Sequence, residues 1–145
     1  MRTTTALPFA IGALLFASIS CNIAADPNRN SSGDMLRTTA IEMPLNKVVI
    51  DNVDLVGGDQ DDWKFFTVNN TGLVKVVANF DNVEATATIT VHNSVGQIMS
   101  DLDLPVSTKQ LRQLQFRADP GNFYLHVTTE DLPTDYSVEV TFKDI

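Results

Sequence analysis

The chain has 145 residues, with 18 Asp and Glu against 10 Lys and Arg, for a formal net charge of −8 at pH 7. This acidity argues against nucleic-acid binding, which draws on clustered Lys and Arg to neutralise phosphates, and against electrostatic docking on anionic lipid. The single cysteine excludes an internal disulfide and a zinc site built on several cysteines.

The first residues, 1–20, are typical of a secretory signal peptide. Arg2 is the only charged residue before Asp26, and an interrupted apolar run extends over residues 6–19. That run is shorter than the ~20 apolar residues that span a membrane, which favours the apolar region of a signal peptide. We therefore expect an exported protein.

Two processing sites compete at the end of this run. The segment Ser18-Ile19-Ser20-Cys21 resembles the lipobox of bacterial lipoproteins, in which the cysteine receives a diacylglycerol and becomes the mature N-terminus. Ser18 departs from that pattern, which prefers Leu. The alternative is ordinary cleavage after Ala25, with 1–25 as the signal peptide. The position of the only cysteine favours lipidation at Cys21. This predicts a lipid-anchored protein of the bacterial cell envelope, whereas cleavage after Ala25 predicts a free periplasmic or extracellular one.

A polar stretch and a region of period-two patterning follow. Residues 21–43 are rich in Asn and Ser, and we expect a tether there. Residues 44–145 contain runs in which apolar and polar residues alternate, as expected of strands with one buried face. The most regular runs are 85–92, 123–128 and 136–142; less regular runs are 47–53, 63–68, 73–80, 95–102 and 112–118. Seven or eight short strands predict one all-β domain, an antiparallel jelly-roll-like β-sandwich.

Three segments of this domain carry a family resemblance. They are an acidic turn with an aromatic strand at 58–68, a glycine-aromatic strand at 121–127 and a last strand at 136–140. Together they resemble the bacterial pre-peptidase C-terminal domain, a jelly-roll-like β-sandwich related in fold to the collagen-binding domain of clostridial collagenases. Lys64 departs from the family, which usually has an aromatic residue there. This predicts either a locally altered core or a lysine that reaches the rim.

The acidic turn is a candidate calcium site. Calcium binds several carboxylate and carbonyl oxygens, usually from a loop dense in Asp, and Asp59, Asp61 and Asp62 supply carboxylates here. Some collagen-binding relatives use acidic residues near this turn for calcium, so the resemblance implies calcium as a cofactor. The alternative is a solvated turn, where Asp is favoured because its side chain bonds the local backbone.

Aromatic residues supply a candidate binding face. Trp63, Phe65 and Tyr124 fall on the opposite phase of their strands from the apolar residues expected in the core. Aromatic side chains exposed on a sheet can bind peptide or glycan. The alternative is a strand covered on both sides, in which these aromatic residues are buried.

Catalytic signatures are missing from the sequence. His92 and His126, the only histidines, fall on polar strand faces, and nothing in their spacing brings them together. There is no GxSxG motif, P-loop or dinucleotide fingerprint. We therefore expect a non-enzymatic envelope lipoprotein that presents a β-sandwich to a protein or polysaccharide. The alternatives are a freely secreted or periplasmic accessory module stabilised by calcium, and an unrecognised hydrolase in which both histidines and a carboxylate converge in a pocket.

Overall fold

The computed structural model of the chain describes residues 23–25, 32–99 and 111–145. The predicted signal peptide and Cys21 lie outside these residues. Within them, nine strands follow in chain order: β1 (Ile23–Ala25), β2 (Ile41–Glu42), β3 (Val48–Val53), β4 (Asp61–Val68), β5 (Gly72–Phe80), β6 (Ala87–Asn93), β7 (Leu111–Ala118), β8 (Gly121–Thr129) and β9 (Thr134–Asp144). The described residues contain no helix long and apolar enough to cross a membrane.

The strands form two sheets that enclose one core. The five-stranded sheet has the order β1-β3-β9-β5-β7 and the four-stranded sheet has the order β2-β4-β8-β6. Strand pairs are antiparallel except β1 with β3 and β2 with β4. The prediction of an all-β, largely antiparallel sandwich is confirmed. The possible strand at 95–102 is absent as far as residue 99, where the structure shows only an isolated bridge between Ile98 and His92.

Alternation along the strands explains the packing. In β4, Asp62, Lys64, Phe66 and Val68 are buried while the residues between them are partly or fully exposed. The other long strands follow the same rule, so the two inner faces meet in a continuous apolar cluster. Each fully buried Val, Leu or Phe in that cluster contributes roughly 1.5–3 kcal/mol relative to an exposed position.

The end of the polar stretch belongs to the packed domain. Ser32–Asp34 and Arg37–Thr39 form two short 3₁₀ helices, and β2 then pairs with the edge of β4. Met43 is 2% exposed, and its backbone N–H donates to the carbonyl of Phe65 at 2.8 Å. Residues 32–43, predicted as part of a tether, therefore close one edge of the sandwich.

Candidate functional site

The outward side of the four-stranded sheet gathers the predicted aromatic residues. Register places Trp63 of β4 opposite His126 of β8, and Phe65 opposite Tyr124. His92 of β6 lies beside Tyr124 on the far side of β8. We call these five residues the aromatic face. All five are half-buried, which lies between the predicted exposed face and the alternative of full burial.

The rings of the aromatic face contact one another. Trp63 stacks on His126, with centroids 4.1 Å apart and an interplanar angle of 8°. Trp63 also lies 5.3 Å from the His92 ring, and Phe65 lies 6.2 Å from Tyr124, both in tilted geometry. Such contacts add to burial energy and hold the rings in fixed orientations. The face is therefore a continuous platform of rings across three strands.

Arg37 extends this platform and was not predicted from the sequence. Its guanidinium lies 5.0 Å from the centre of the Tyr124 ring, and its Nη2 donates to the carbonyl of Ser94 at 3.2 Å. Gly96 lies next to this guanidinium: a Cβ added at Gly96 would be 3.1 Å from Nη1 of Arg37. Arg37 belongs to a polar stretch with no strand periodicity. The sequence pattern therefore does not indicate that its side chain packs on the outward side of the sheet.

The two histidines have separate partners on this face. His126 Nε2 lies 2.7 Å from Asp61 Oδ1, and His92 Nε2 lies 2.9 Å from the Thr90 hydroxyl. Their ring centroids are 6.4 Å apart. The structure thus brings both histidines and a carboxylate onto one sheet surface, where the side chains of His126 and Asp61 remain 22% and 32% exposed.

A charged cluster lies on the opposite, inward side of β4. Lys64 is fully buried, and its Nζ contacts Asp34 Oδ2 at 3.0 Å and Asp51 Oδ2 at 2.7 Å. The expectation that Lys64 reaches the rim is wrong, because β4 alternation directs it between the sheets. The core is locally altered instead: two buried carboxylates, one from the N-terminal segment and one from β3, form ion pairs with the ammonium.

Two more carboxyl groups complete what we call the carboxylate cluster. Oxygens of Asp34, Asp59 and Asp62 all lie within 4.8 Å of one another. The Tyr136 hydroxyl donates to Asp62 Oδ2 at 2.6 Å. Both oxygens of Asp59 and Oδ1 of Asp34 are buried and have no hydrogen-bond partner among the residues that the structure describes. Buried polar atoms are nearly always paired, so these oxygens lack a donor or a cation.

The protonation of the cluster reflects its burial. Loss of hydration raises the pKa of Asp62 to about 8 and that of Asp59 to about 6, and it also raises the pKa of Asp34. Lys64 opposes this effect, but one ammonium faces four carboxyl groups when Asp51 is included. The cluster therefore favours either bound protons or an additional cation.

The predicted calcium residues are divided between the two sides of β4. Asp59 and Asp62 join the carboxylate cluster, whereas Asp61 points outward to His126 because neighbouring strand residues face opposite ways. The third carboxyl group of the cluster is supplied by Asp34 instead of Asp61. The alternative prediction is a turn in which an Asp side chain bonds the local backbone. Asp54 makes such a bond: its Oδ1 accepts from the Val56 N–H at 2.9 Å.

Comparisons with known proteins identify the fold. No family model matches the sequence, and no curated protein matches it. The structure is similar to the crystal structure of the pre-peptidase C-terminal domain of collagenase from Bacillus anthracis, with a TM-score of 0.60 and 20% identity. The match covers 70% of this chain and 94% of that domain. The predicted resemblance to the pre-peptidase C-terminal domain is confirmed for the fold.

Proposed function

We propose that this protein is an exported, non-enzymatic binding module of the bacterial cell envelope whose aromatic face contacts a protein or polysaccharide. One observation carries this proposal: Trp63, Phe65 and Tyr124 lie side by side on the outward side of one sheet and remain half-exposed. Domains of this fold are typically non-catalytic accessory units of secreted bacterial proteins, which agrees with a role in contact rather than chemistry.

The composition of the face supports contact with a partner. Trp, Tyr and Arg are the residues that most often dominate binding energy at interfaces. Here Arg37 lies over Tyr124, next to the Trp63 stack. On the described strands of this sheet, the outward carboxylates are Asp61, paired with His126, and Glu42 beside Phe65 at the sheet edge. In a chain with 18 acidic residues, a surface with so few carboxylates is suited to apolar and stacking contacts.

A lipid anchor on Cys21 is the second part of the proposal. Ile23–Ala25 pairs with β3 as strand β1. Cleavage after Ala25 would remove this strand, whereas lipidation at Cys21 would retain it two residues from the anchor. Mass spectrometry of the mature N-terminus tests the choice. A diacylated Cys21 is expected, and a mature chain that begins at Asp26 would rule out the anchor.

The binding role is tested with substitutions on the face. Purified cell-wall polysaccharide is the probe in a sedimentation assay, and a pull-down with envelope proteins is the second arm. In whichever of the two assays the mature wild-type protein binds, Trp63→Ala is expected to weaken that binding by roughly 30-fold. This factor corresponds to the ~2 kcal/mol contributed by a hot-spot residue. Val56→Ala is the control, since Val56 is an exposed turn residue (87%) outside the face. Equal binding by wild type and Trp63→Ala would refute the role of the face.

A second candidate function, calcium-dependent stabilisation, is supported by the carboxylate cluster. Asp34, Asp59 and Asp62 would hold the ion, since hard oxygen donors are what calcium prefers. The buried, unpartnered oxygens of Asp59 fit such an ion, and Lys64 leaves the four carboxyl groups with an excess of negative charge. When bound, calcium would supply positive charge and join the N-terminal segment to the β3–β4 turn.

Thermal unfolding in calcium and in chelator tests this second candidate. A ligand at 100 times its Kd that binds only the folded state adds ~2.7 kcal/mol to the free energy of unfolding. The gain is expected in wild type and in Asp61→Asn, because Asp61 lies outside the cluster. It is expected to be lost in Asp59→Asn. An unchanged wild-type midpoint would retire the calcium role.

A further inference from the structure

We propose that His126 is the positioning residue of Trp63 and that its protonation makes the aromatic face respond to pH. This inference rests on the proposed function in one respect only: it takes the aromatic face to be the surface that contacts a partner. The geometry that carries it is a three-member arrangement: the Trp63 ring on one face of the imidazole, and the Asp61 carboxylate at its Nε2.

The stack fixes the orientation of Trp63. The 8° interplanar angle and 4.1 Å centroid separation show that the indole and imidazole are stacked nearly parallel and in contact. Asp61 holds the imidazole from its edge at 2.7 Å, so the imidazole ring cannot turn away without loss of that hydrogen bond. Trp63 and His126 are opposite each other in the β4–β8 register, and the backbone therefore keeps the two side chains adjacent.

Protonation strengthens both contacts of His126. In the neutral state, Nε2–H donates to Asp61 Oδ1, and the interaction is an ordinary hydrogen bond. The imidazolium makes this a charge-assisted bond, which is about twice as strong. The same positive charge lies against the indole face, where the ring quadrupole attracts cations. Acid therefore tightens the stack and holds Trp63 more firmly.

The charges that surround His126 set the net effect on the face. Among the residues that the structure describes on the strands of this face, Asp61 on β4 and Glu42 on β2 are the carboxylates, and Arg37 adds a fixed positive charge. Thr90 is the β6 partner of His126, and His92, two residues further along β6, has its ring 6.4 Å from that of His126. With both histidines neutral these groups sum to −1, and with both protonated they sum to +1. Protonation of His126 alone brings the sum to 0, so the surface loses its net negative charge as the stack tightens.

Fluorescence of the unique tryptophan reads this change directly. Trp63 is the only Trp in the chain, and an imidazolium in contact with an indole quenches its emission. The purified full chain is titrated from pH 8 to pH 5 without any partner. We expect the emission to be quenched as the pH is lowered across this range, in which histidine side chains take up a proton. A flat emission profile in wild type would overturn the inference.

Three variants assign the step. His126→Gln is expected to abolish it, since Gln keeps a donor toward Asp61 but cannot take up the proton. His92→Gln, the matched control, is expected to retain it. Asp61→Asn is expected to reduce the size of the quenching step, because the charge-assisted bond that holds the imidazolium against Trp63 cannot form. A quenching step that persists in His126→Gln would also overturn the inference.

The two proposals fail separately. The titration contains no partner, so its failure leaves the binding role of the face untouched. Conversely, Trp63→Ala with undiminished binding would refute the contact surface while leaving the proton-sensitive stack in place.

Discussion

Removal of the Lys64 ammonium is the sharpest test of the charged core. Lys64→Met supplies an uncharged, unbranched side chain one atom shorter than lysine and leaves Asp34 and Asp51 buried without their cation. Breaking a buried ion pair by deletion of one partner costs about 3–5 kcal/mol, because the remaining charge is stranded in a poorly hydrated site. A domain of this size has about 5–15 kcal/mol in total. We therefore expect Lys64→Met to lose a large part of its stability at pH 7.

Urea unfolding followed by circular dichroism measures this loss. Lys47→Met is the control, since Lys47 is exposed and its replacement should change the free energy of unfolding by no more than about 0.5 kcal/mol. If Lys64→Met does not fold, the double variant Lys64→Met/Asp51→Asn provides a second measurement, because it removes one stranded charge and should recover part of the loss. A Lys64→Met variant that loses less than about 1 kcal/mol would refute the assignment of Lys64 as the buried counter-charge.

Three further changes probe the same interior. Because burial raises the pKa of Asp59 to about 6 and of Asp62 to about 8, the folded state holds protons that the unfolded chain releases above pH 4. In chelator, the free energy of unfolding should therefore fall as pH rises from 4 to 8; a rise measured in urea would contradict this. Tyr136→Phe removes the donor to Asp62 and should cost about 1–3 kcal/mol in the same assay, and no loss would mean that this hydrogen bond contributes nothing net. Gly72→Ala should lower the free energy of unfolding by about 1–3 kcal/mol, because a Cβ there would overlap the Phe142 ring and the backbone carbonyl of Lys143. An unchanged thermal midpoint would show that β9 moves to accommodate the methyl group.

The long strands were predictable from the sequence and the short ones were not. Alternation over 85–92, 123–128 and 136–142 marks strands with one buried face, and the structure has β6, β8 and β9 there. β1 and β2 contain only three and two residues, too few for a period to show. They form because backbone groups on the edges of β3 and β4 are available for pairing. That availability is a tertiary property with no local sequence signal.

The sites divide in the same way. Trp63, Phe65 and Tyr124 could be placed on one face, because the phase of each strand is readable from its apolar residues. The burial of Lys64 could not be predicted, because it depends on Asp34 and Asp51, 30 and 13 residues away. A lysine at a position whose neighbours two residues away face the core ordinarily suggests that the strand or its alternation has been misassigned. Here its cost is offset by carboxylates that only the folded chain brings to it.

β4 and the N-terminal segment connect the two sites physically. Consecutive residues of β4 supply the aromatic face on one side and the charged core on the other, so a slip of one residue in the β4–β8 register would exchange them. The N-terminal segment contacts both sides as well: Asp34 pairs with Lys64 inside, and Arg37, three residues later, lies over Tyr124 outside. The ion pair that satisfies Lys64 therefore also fixes the segment that completes the aromatic face. Ion pairing in the core and the shape of the outer surface therefore depend on the same few residues.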